Sequence, residues 1–170
     1  MHHFADACET GYGQCSYIRY INERNEAHCA LLIGKARVAP LKQMSVPRLE
    51  LTAAVVAARM SVFLKAELKM QIVKEYFWTD STIVLGYIQN ESRRFCTFVA
   101  NRTQTIQDLT ERSAWHHVSG SCNPSDDASR GLSMSKLSTS CRWLRGPDFL
   151  WKNGPIVPPK TELIGAESLP

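Results

Sequence analysis

The sequence predicts an α/β protein with a mixed sheet, because its successive segments follow an order typical of that class. Three β-favouring segments come first and are joined by tight connections, which is typical of antiparallel neighbours. Helical segments then separate two further strands, as in parallel crossovers. The predicted order is three strands, a helix, a strand, two helices, a strand and a last helix.

The antiparallel start occupies the first 38 residues. Residues 4–8 and 11–21 are rich in aromatic and β-favouring side chains, and residues 27–38 alternate loosely. The polar run 22–26 between the last two strands predicts a turn.

A helix is predicted next, beginning near Ser45 or Val46, because Pro47 is tolerated in a first turn. Apolar side chains that recur at helical spacing predict its buried face. The residues of that face are Leu49, Ala53, Val56, Met60 and Phe63.

The remaining strands and helices alternate. Asp80 and Ser81 are both good candidates for the N-cap of the helix after the fourth strand. The predicted ranges are a strand over 72–79, a helix over 83–88, a helix over 95–109, a strand over 114–118 and a helix over 126–132.

The composition changes near Leu132, where five of the eight prolines follow together with two tryptophans. Such a composition is typical of an extended arm or linker. We therefore expect a folded domain over residues 1–131 and a C-terminal extension over residues 132–170.

Composition and charge exclude several classes of protein. Hydrophobic residues make up 44% and charged residues 21%, which is ordinary for a globular protein and excludes fibrous or wholly disordered chains. The six cysteines include no C-x-x-C pair, which argues against a zinc ribbon. No apolar run approaches the roughly 18 residues that span a bilayer, and the pattern of the first residues leads us to expect no signal peptide. We expect an intracellular protein, cytoplasmic or nuclear, with no membrane partner.

Four acidic residues lie in unexpected, largely apolar surroundings at the ends of separate elements: Asp6, Glu50, Asp80 and Asp126. An acid beside a core face is costly unless it is paired or binds a cation. If the four converge, their repulsion calls for divalent cations, and Mg²⁺ prefers such oxygen ligands. Each also has a simpler interpretation, as a helix cap, a favourable charge on the helix dipole or a turn residue. The pattern alone leaves both interpretations open.

Several ordered motifs give the chain a resemblance to the ribonuclease H domain of BEL/Pao-type retrotransposon polyproteins. The first is Phe4-Ala-Asp-Ala-Cys followed by Tyr-Gly, and the second runs from Lys35 to Leu51. The third is Tyr76-Phe-Trp-Thr-Asp-Ser-Thr, and the fourth runs from His117 to Gly131. Asp80-Ser-Thr lacks the glycine of an aspartic-peptidase loop, so a peptidase is not expected.

The resemblance implies a ribonuclease H-like fold, with a five-stranded mixed sheet flanked by helices. It also implies hydrolysis of the RNA strand of RNA–DNA hybrids during retrotransposon reverse transcription. Asp6, Glu50, Asp80 and Asp126 would be catalytic and would hold two Mg²⁺ ions, with Mn²⁺ as a possible substitute. Asp126 is preferred over Asp127 as the fourth ligand because of the Asp-x-x-Ser-Arg spacing, and Asp127 is expected to face solvent.

Further residues are expected to contact the hybrid through its backbone. They are Lys35, Arg37, Arg48, Ser81, Arg93, Arg94 and Asn123. The resemblance also implies neighbouring reverse transcriptase and integrase regions in a parent polyprotein, of which this chain is expected to be a piece.

Two other functions compete with this one. A catalytically silent remnant would act as a structural or nucleic-acid-binding module of the polyprotein. Another nuclease of the same fold is disfavoured, because exonuclease motifs are missing.

Overall fold

The computed structural model describes residues 1–90, 95–137 and 141–158. Its centre is a five-stranded sheet in the order β3-β2-β1-β4-β5. Strand β1 pairs antiparallel with β2 and parallel with β4; β2 pairs antiparallel with β3, and β4 pairs parallel with β5. The predicted α/β class and the mixed sheet are confirmed. The strands are β1 His2–Ala7, β2 Gly11–Ile21, β3 Ala27–Val38, β4 Tyr76–Thr79 and β5 Trp115–His117.

Helices cover both faces of the sheet. Their bounds are α1 Val46–Leu68, α2 Thr82–Gln89, α3 Thr97–Leu109, α4 Ser125–Arg130 and α5 Arg142–Arg145. Alternate strand residues face opposite layers, as the two-residue period of a strand requires. Ala5 packs in the core formed with α1, α2 and α3, whereas Phe4 packs in the opposite core.

Helix α1 crosses the sheet with a buried face rich in small residues. Ala53, Ala54, Ala57 and Ala58 are fully buried, which brings the helix axis close to the strands. The predicted face is only partly correct, since Phe63 is 50% exposed. These alanine side chains share the core with Leu51 and Val55 of the same helix.

Residues 141–156 pack against the second face of the sheet. Leu150 is fully buried there. The Arg19 guanidinium donates hydrogen bonds of 2.7, 2.7 and 2.8 Å to the carbonyls of Leu150, Lys152 and Gly154. The Tyr17 hydroxyl donates a bond of 2.7 Å to the Trp143 carbonyl. This part of the C-terminal region therefore adds to the core, and the expected division at residue 131 stays a prediction.

Among the described residues, no helix combines the length and the apolar character that crossing a bilayer requires.

Candidate active site

Asp6 and Asp80 lie side by side at the carboxyl ends of two neighbouring parallel strands. Ala5 of β1 is in register with Thr79 of β4, so the next residue of each strand is one of these acids. Adjacent strands lie about 4.8 Å apart, and this end of a parallel pair is where α/β sheets form ligand sites. The strand pairing thus brings together two acids that are 74 positions apart in sequence.

Two close approaches of backbone bring α4 onto the sheet beside Asp6. A Cβ atom at Gly13, the residue paired with Asp6, would lie 2.7 Å from the Ala128 Cβ. One at Gly11 would lie 2.8 Å from the Ser129 carbonyl oxygen. Only glycine leaves room for this approach, through which the Ser129 hydroxyl donates a short hydrogen bond to Asp6 Oδ2.

Glu50, near the start of α1, and Ser81, just before α2, lie near each other at the same edge. Ser81 is the N-cap of α2, and its Oγ accepts a 3.2 Å hydrogen bond from the Val84 amide. The same side chain also favours the charged form of Glu50 and so lowers the pKa of that carboxyl group. Of the two caps considered for α2, Ser81 is the one that forms.

The surroundings raise the pKa values of three of the four acids. Burial raises the pKa of Asp6 to about 6; the Ser129 hydrogen bond opposes this rise, and the charges of Asp80 and Asp126 add to it. Burial likewise raises the pKa of Glu50, and the charges of Asp80 and Asp6 act in the same direction. The pKa of Asp80 is raised by burial, opposed by a hydrogen bond from Asn123, with the charge of Asp126 adding to the rise. Asp6 therefore lies near enough to Asp80 and Asp126, and Glu50 near enough to Asp80 and Asp6, for their charges to repel.

One carboxylate oxygen of Asp80 is buried and accepts no hydrogen bond. Its Oδ1 is shielded from solvent and has no hydrogen-bond partner. A buried carboxylate oxygen without a donor is costly. A hard cation would satisfy it, so the donor chemistry of this edge fits Mg²⁺ or Mn²⁺.

Asp126 is oriented differently from the other three acids. Its Oδ1 accepts a 2.5 Å hydrogen bond from Arg130 Nε, and its Oδ2 lies 3.8 Å from Arg142 Nη2. Over the described part of the chain, no three His, Cys, Asp or Glu side chains are gathered tightly enough to hold a metal ion. The oxygen chemistry fits a cation, but the complete ligand set is not assembled in this arrangement.

Asp127 does not face open solvent, contrary to the expectation from sequence. Its carboxylate is 18% exposed and pairs with the Arg142 guanidinium at 3.0 and 3.2 Å. Arg142 also donates a 2.8 Å hydrogen bond to the Ser121 carbonyl. Sequence reasoning missed Arg142 because its partners lie 15 and 21 residues away, with no local pattern to link them.

The residues expected to contact nucleic acid divide into two groups. Lys35, Arg37 and Arg48 are exposed, the first two on the edge strand β3 and the third at the start of α1. Ser81 and Asn123 are buried. The Asn123 amide donates a 3.1 Å hydrogen bond to the Ala5 carbonyl, and its Oδ1 accepts from Ser125.

In this arrangement the buried pair contacts protein groups, and both side chains counteract a rise in pKa, Ser81 that of Glu50 and Asn123 that of Asp80. Arg93 and Arg94 lie outside the described residues.

The sequence of the first 81 residues matches the family model of the Pao retrotransposon-like RNaseH-like domain. The resemblance to that family is confirmed over this range. The match includes Asp6, Glu50 and Asp80 and ends at Ser81, so Asp126 lies beyond it. No curated protein matches the chain in sequence.

Solved structures extend the likeness in fold. The N-terminal RNase H domain of Rv2228c from Mycobacterium tuberculosis, solved as a fusion with maltose binding protein, shares 13% identity, with a TM-score of 0.52. The match covers 80% of this chain and 97% of that one. The RNase H1 of the archaeon Halobacterium salinarum NRC-1 shares 9% identity over 77% of this chain and 96% of its own, with a TM-score of 0.47. The first of these two matches confirms the ribonuclease H-like fold.

Proposed function

We propose that this ribonuclease H-like domain hydrolyses the RNA strand of RNA–DNA hybrids, using Asp6, Glu50, Asp80 and Asp126 with Mg²⁺ as the cofactor. The observation that carries the proposal is the buried, partnerless Oδ1 of Asp80 beside carboxyl groups whose pKa values are raised by burial and mutual repulsion. A divalent cation removes both costs at once.

The roles of the four acids follow from their positions. Asp6 and Asp80, adjacent on β1 and β4, would be the central oxygen donors. Glu50 would bind from the second turn of α1, positioned by Ser81. Asp126 would bind the cation after its ion pair with Arg130 has broken. The Arg130 side chain is 63% exposed, so water can replace Asp126 as its partner.

When bound, a pair of Mg²⁺ ions supplies a nucleophilic water at neutral pH and stabilises the charge that develops on the phosphate. The chain's own contribution is to hold the oxygen donors rigidly at the sheet edge. Deprotonated carboxyl groups are needed for that, so the raised pKa of Asp6, about 6, predicts that cation binding weakens as the pH falls below that value.

The phosphates of the hybrid would be bound by Lys35, Arg37 and Arg48. The same role is proposed for Arg93 and Arg94. RNA would be recognised through 2′-hydroxyl contacts rather than through the identity of bases. In this proposal Ser81 and Asn123 act on the site by positioning Glu50 and Asp80. We also propose that the protein is intracellular and that reverse transcriptase and integrase regions adjoin it in a parent polyprotein.

A catalytically silent module is the second candidate, and one observation favours it. Asp126 is neutralised by Arg130 at 2.5 Å, and no three candidate metal-binding side chains are gathered in the described chain. A domain that had lost its cation site could keep the same fold and still bind nucleic acid.

The first prediction separates the two candidates with a labelled RNA–DNA hybrid and the purified chain. We expect RNA cleavage with Mg²⁺ or Mn²⁺, and a fall of roughly a hundredfold or more in Asp80→Asn, because a few kcal/mol of charge stabilisation are lost. Asp148→Asn, a change of the same type at an exposed position, should cleave like the unmodified chain.

Cleavage that persists unchanged in Asp80→Asn would contradict the assignment of the site. Hybrid binding without cleavage in either metal would favour the silent module instead.

A further inference from the structure

A short turn after strand β5 brings a glycine next to Asp80. The turn spans Gly120–Cys122, and its residues are exposed. A Cβ atom at Gly120 would lie 3.1 Å from Asp80 Oδ2, which is closer than ordinary van der Waals contact. Among the described residues beyond its two chain neighbours, no other atom would lie within 4 Å of that Cβ. The space in front of Gly120 is therefore bordered by a carboxylate oxygen and is otherwise open.

The backbone itself does not require a glycine at position 120. Its φ is not positive, unlike that of Gly131 or Gly146, so other residues can adopt this conformation. Helix α4 packs against the backbone at Gly13, which explains the missing side chain there. At Gly120 the described neighbour that a side chain would meet is Asp80 Oδ2. The effect of the glycine is thus to leave the space beside that oxygen free.

The turn is held at both ends, so it cannot easily move away from Asp80. The Asn123 amide donates a 3.1 Å hydrogen bond to the Gly120 carbonyl, and the fully buried Asn123 side chain is bonded to the backbone of β1. The Arg142 guanidinium donates a 2.8 Å hydrogen bond to the Ser121 carbonyl. These contacts join the turn to the sheet and to α5, and they keep Gly120 close to the carboxylate.

The two carboxylate oxygens of Asp80 differ in their surroundings. Oδ1 is buried and has no partner among the described residues, whereas Oδ2 borders the open space in front of Gly120. Mg²⁺ binds oxygen ligands at about 2.1 Å and usually keeps several of its water molecules. A methyl group 3.1 Å from Oδ2 would take up volume that such a hydrated ion needs.

We propose that Gly120 is a specificity-determining residue, which keeps the space beside Asp80 Oδ2 free for a hydrated Mg²⁺ ion. This inference rests on the proposed function, because it assumes that Asp80 binds the cation. The size of the residue at position 120 then controls the affinity for Mg²⁺, whereas the fold does not depend on it.

Calorimetric titration with Mg²⁺ tests the proposal without any need for cleavage. Gly120→Ala adds one methyl group beside Asp80, and Gly120→Val adds a larger side chain. We expect Kd to rise by about tenfold in the alanine variant and by more in the valine variant, since groups next to metal ligands affect affinity on that scale. An unchanged Kd in both variants would overturn the proposal.

The matched control is Ser121→Thr, which adds one methyl group to the next, exposed residue of the turn. It should bind Mg²⁺ within about twofold of the unmodified chain. The thermal midpoint of Gly120→Ala in EDTA should change by no more than about 4 °C, because the backbone accepts alanine. A larger fall in the midpoint, or an equal loss of affinity in Ser121→Thr, would mean that the turn is distorted, and it would overturn the proposal.

A double variant tests whether Gly120 acts through Asp80. Gly120→Ala should weaken binding much less in a chain that already carries Asp80→Asn, because both changes affect the same contact with the ion. Losses that simply multiply in the double variant would place the effect elsewhere and contradict the proposal.

Cleavage of a labelled hybrid keeps this inference separate from the proposed function. A chain that cleaves the hybrid and binds Mg²⁺ equally well with Gly120→Ala supports the function and overturns the role of Gly120. A chain that does not cleave, but loses Mg²⁺ affinity in the expected order of side-chain size, supports the role of Gly120 and contradicts the proposed hydrolysis. A chain that binds no Mg²⁺ saturably overturns both.

Discussion

Asp6 is held in surroundings that disfavour its charge. The residue is only 5% exposed, and the carboxyl groups of Asp80 and Asp126 are near enough to raise its pKa. A pKa of about 6 against an ordinary 3.8 corresponds to at most about 3 kcal/mol of lost stability once the group is ionised. A site that sacrifices this much stability is typical of function rather than of folding.

The second prediction is that stability without metal depends on pH through this residue. Between pH 3.8 and about 6 the folded chain binds more protons at Asp6 than the unfolded chain does, so the free energy of unfolding falls as the pH rises. Asp6→Asn removes this titration. The variant should be more stable than the unmodified chain above pH 6, by up to about 3 kcal/mol, and the two should converge in acid.

Chemical unfolding in EDTA across that pH range measures the effect. Asp148→Asn, at an exposed position, serves as the control and should follow the unmodified chain. An Asp6→Asn profile parallel to that of the unmodified chain at all pH values would contradict the argument.

The sequence singles out the four acids as candidates, but it does not establish the partners of each. Asp6 and Asp80 stood out because acids are rare in apolar strands, a local signal. The ion pair between Asp127 and Arg142 had no such signal, because the two residues meet only after the C-terminal segment has packed on the sheet. Convergence of side chains from distant elements depends on tertiary packing, which spacing alone does not encode.

Helix α4 carries the fourth acid and depends on α5 for its position. It has only six residues, which is too short for independent stability. Arg142, the first residue of α5, makes two contacts with Asp127 and one with the Ser121 carbonyl, so it joins α4 to the preceding loop. A guanidinium suits this role because it forms paired hydrogen bonds in a fixed plane.

The third prediction concerns this link. Arg142→Ala should lower the free energy of unfolding by about 1–2 kcal/mol, since the ion pair is mostly shielded from solvent. A double-mutant cycle with Asp127→Ala should give a coupling energy above about 0.5 kcal/mol. Arg142→Lys should recover little of the loss, because an ammonium cannot reproduce the paired contact.

Thermal or urea unfolding of the four members of the cycle provides the measurement. Additive losses, with no coupling energy, would show that the contact does not hold α4.

The elements themselves were predicted with uneven success, for physical reasons. The long strands β2 and β3, predicted from their β-favouring side chains, and the long helices, predicted from their apolar spacing, match the structure closely in their bounds. The fourth strand was predicted over residues 72–79 but spans only Tyr76–Thr79. Before it the chain leaves α1 through Lys69 in a left-handed conformation, and Glu75 binds Lys65 at 2.7 Å. Those contacts outweigh the β propensity of the preceding residues.

At the scale of the whole molecule, the sheet separates two layers that meet at one edge. Helix α1 brings Glu50 from one layer, and α4 brings Asp126 from the other. Asp6 and Asp80 lie between them on the strands. The match to the Pao retrotransposon-like family ends at residue 81, so the fourth acid, Asp126, lies beyond it.

The account depends most on the claim that these four carboxyl groups form one cation site, and calorimetric titration with Mg²⁺ tests it most directly. The unmodified chain should bind Mg²⁺ saturably. Asp80→Asn and Glu50→Gln should each weaken binding by about tenfold or more, because each removes a charged oxygen donor. Glu67→Gln, at an exposed position of the same helix as Glu50, and Asp148→Asn should leave the affinity unchanged. Equal affinities in all five proteins, or no saturable binding by the unmodified chain, would contradict the account.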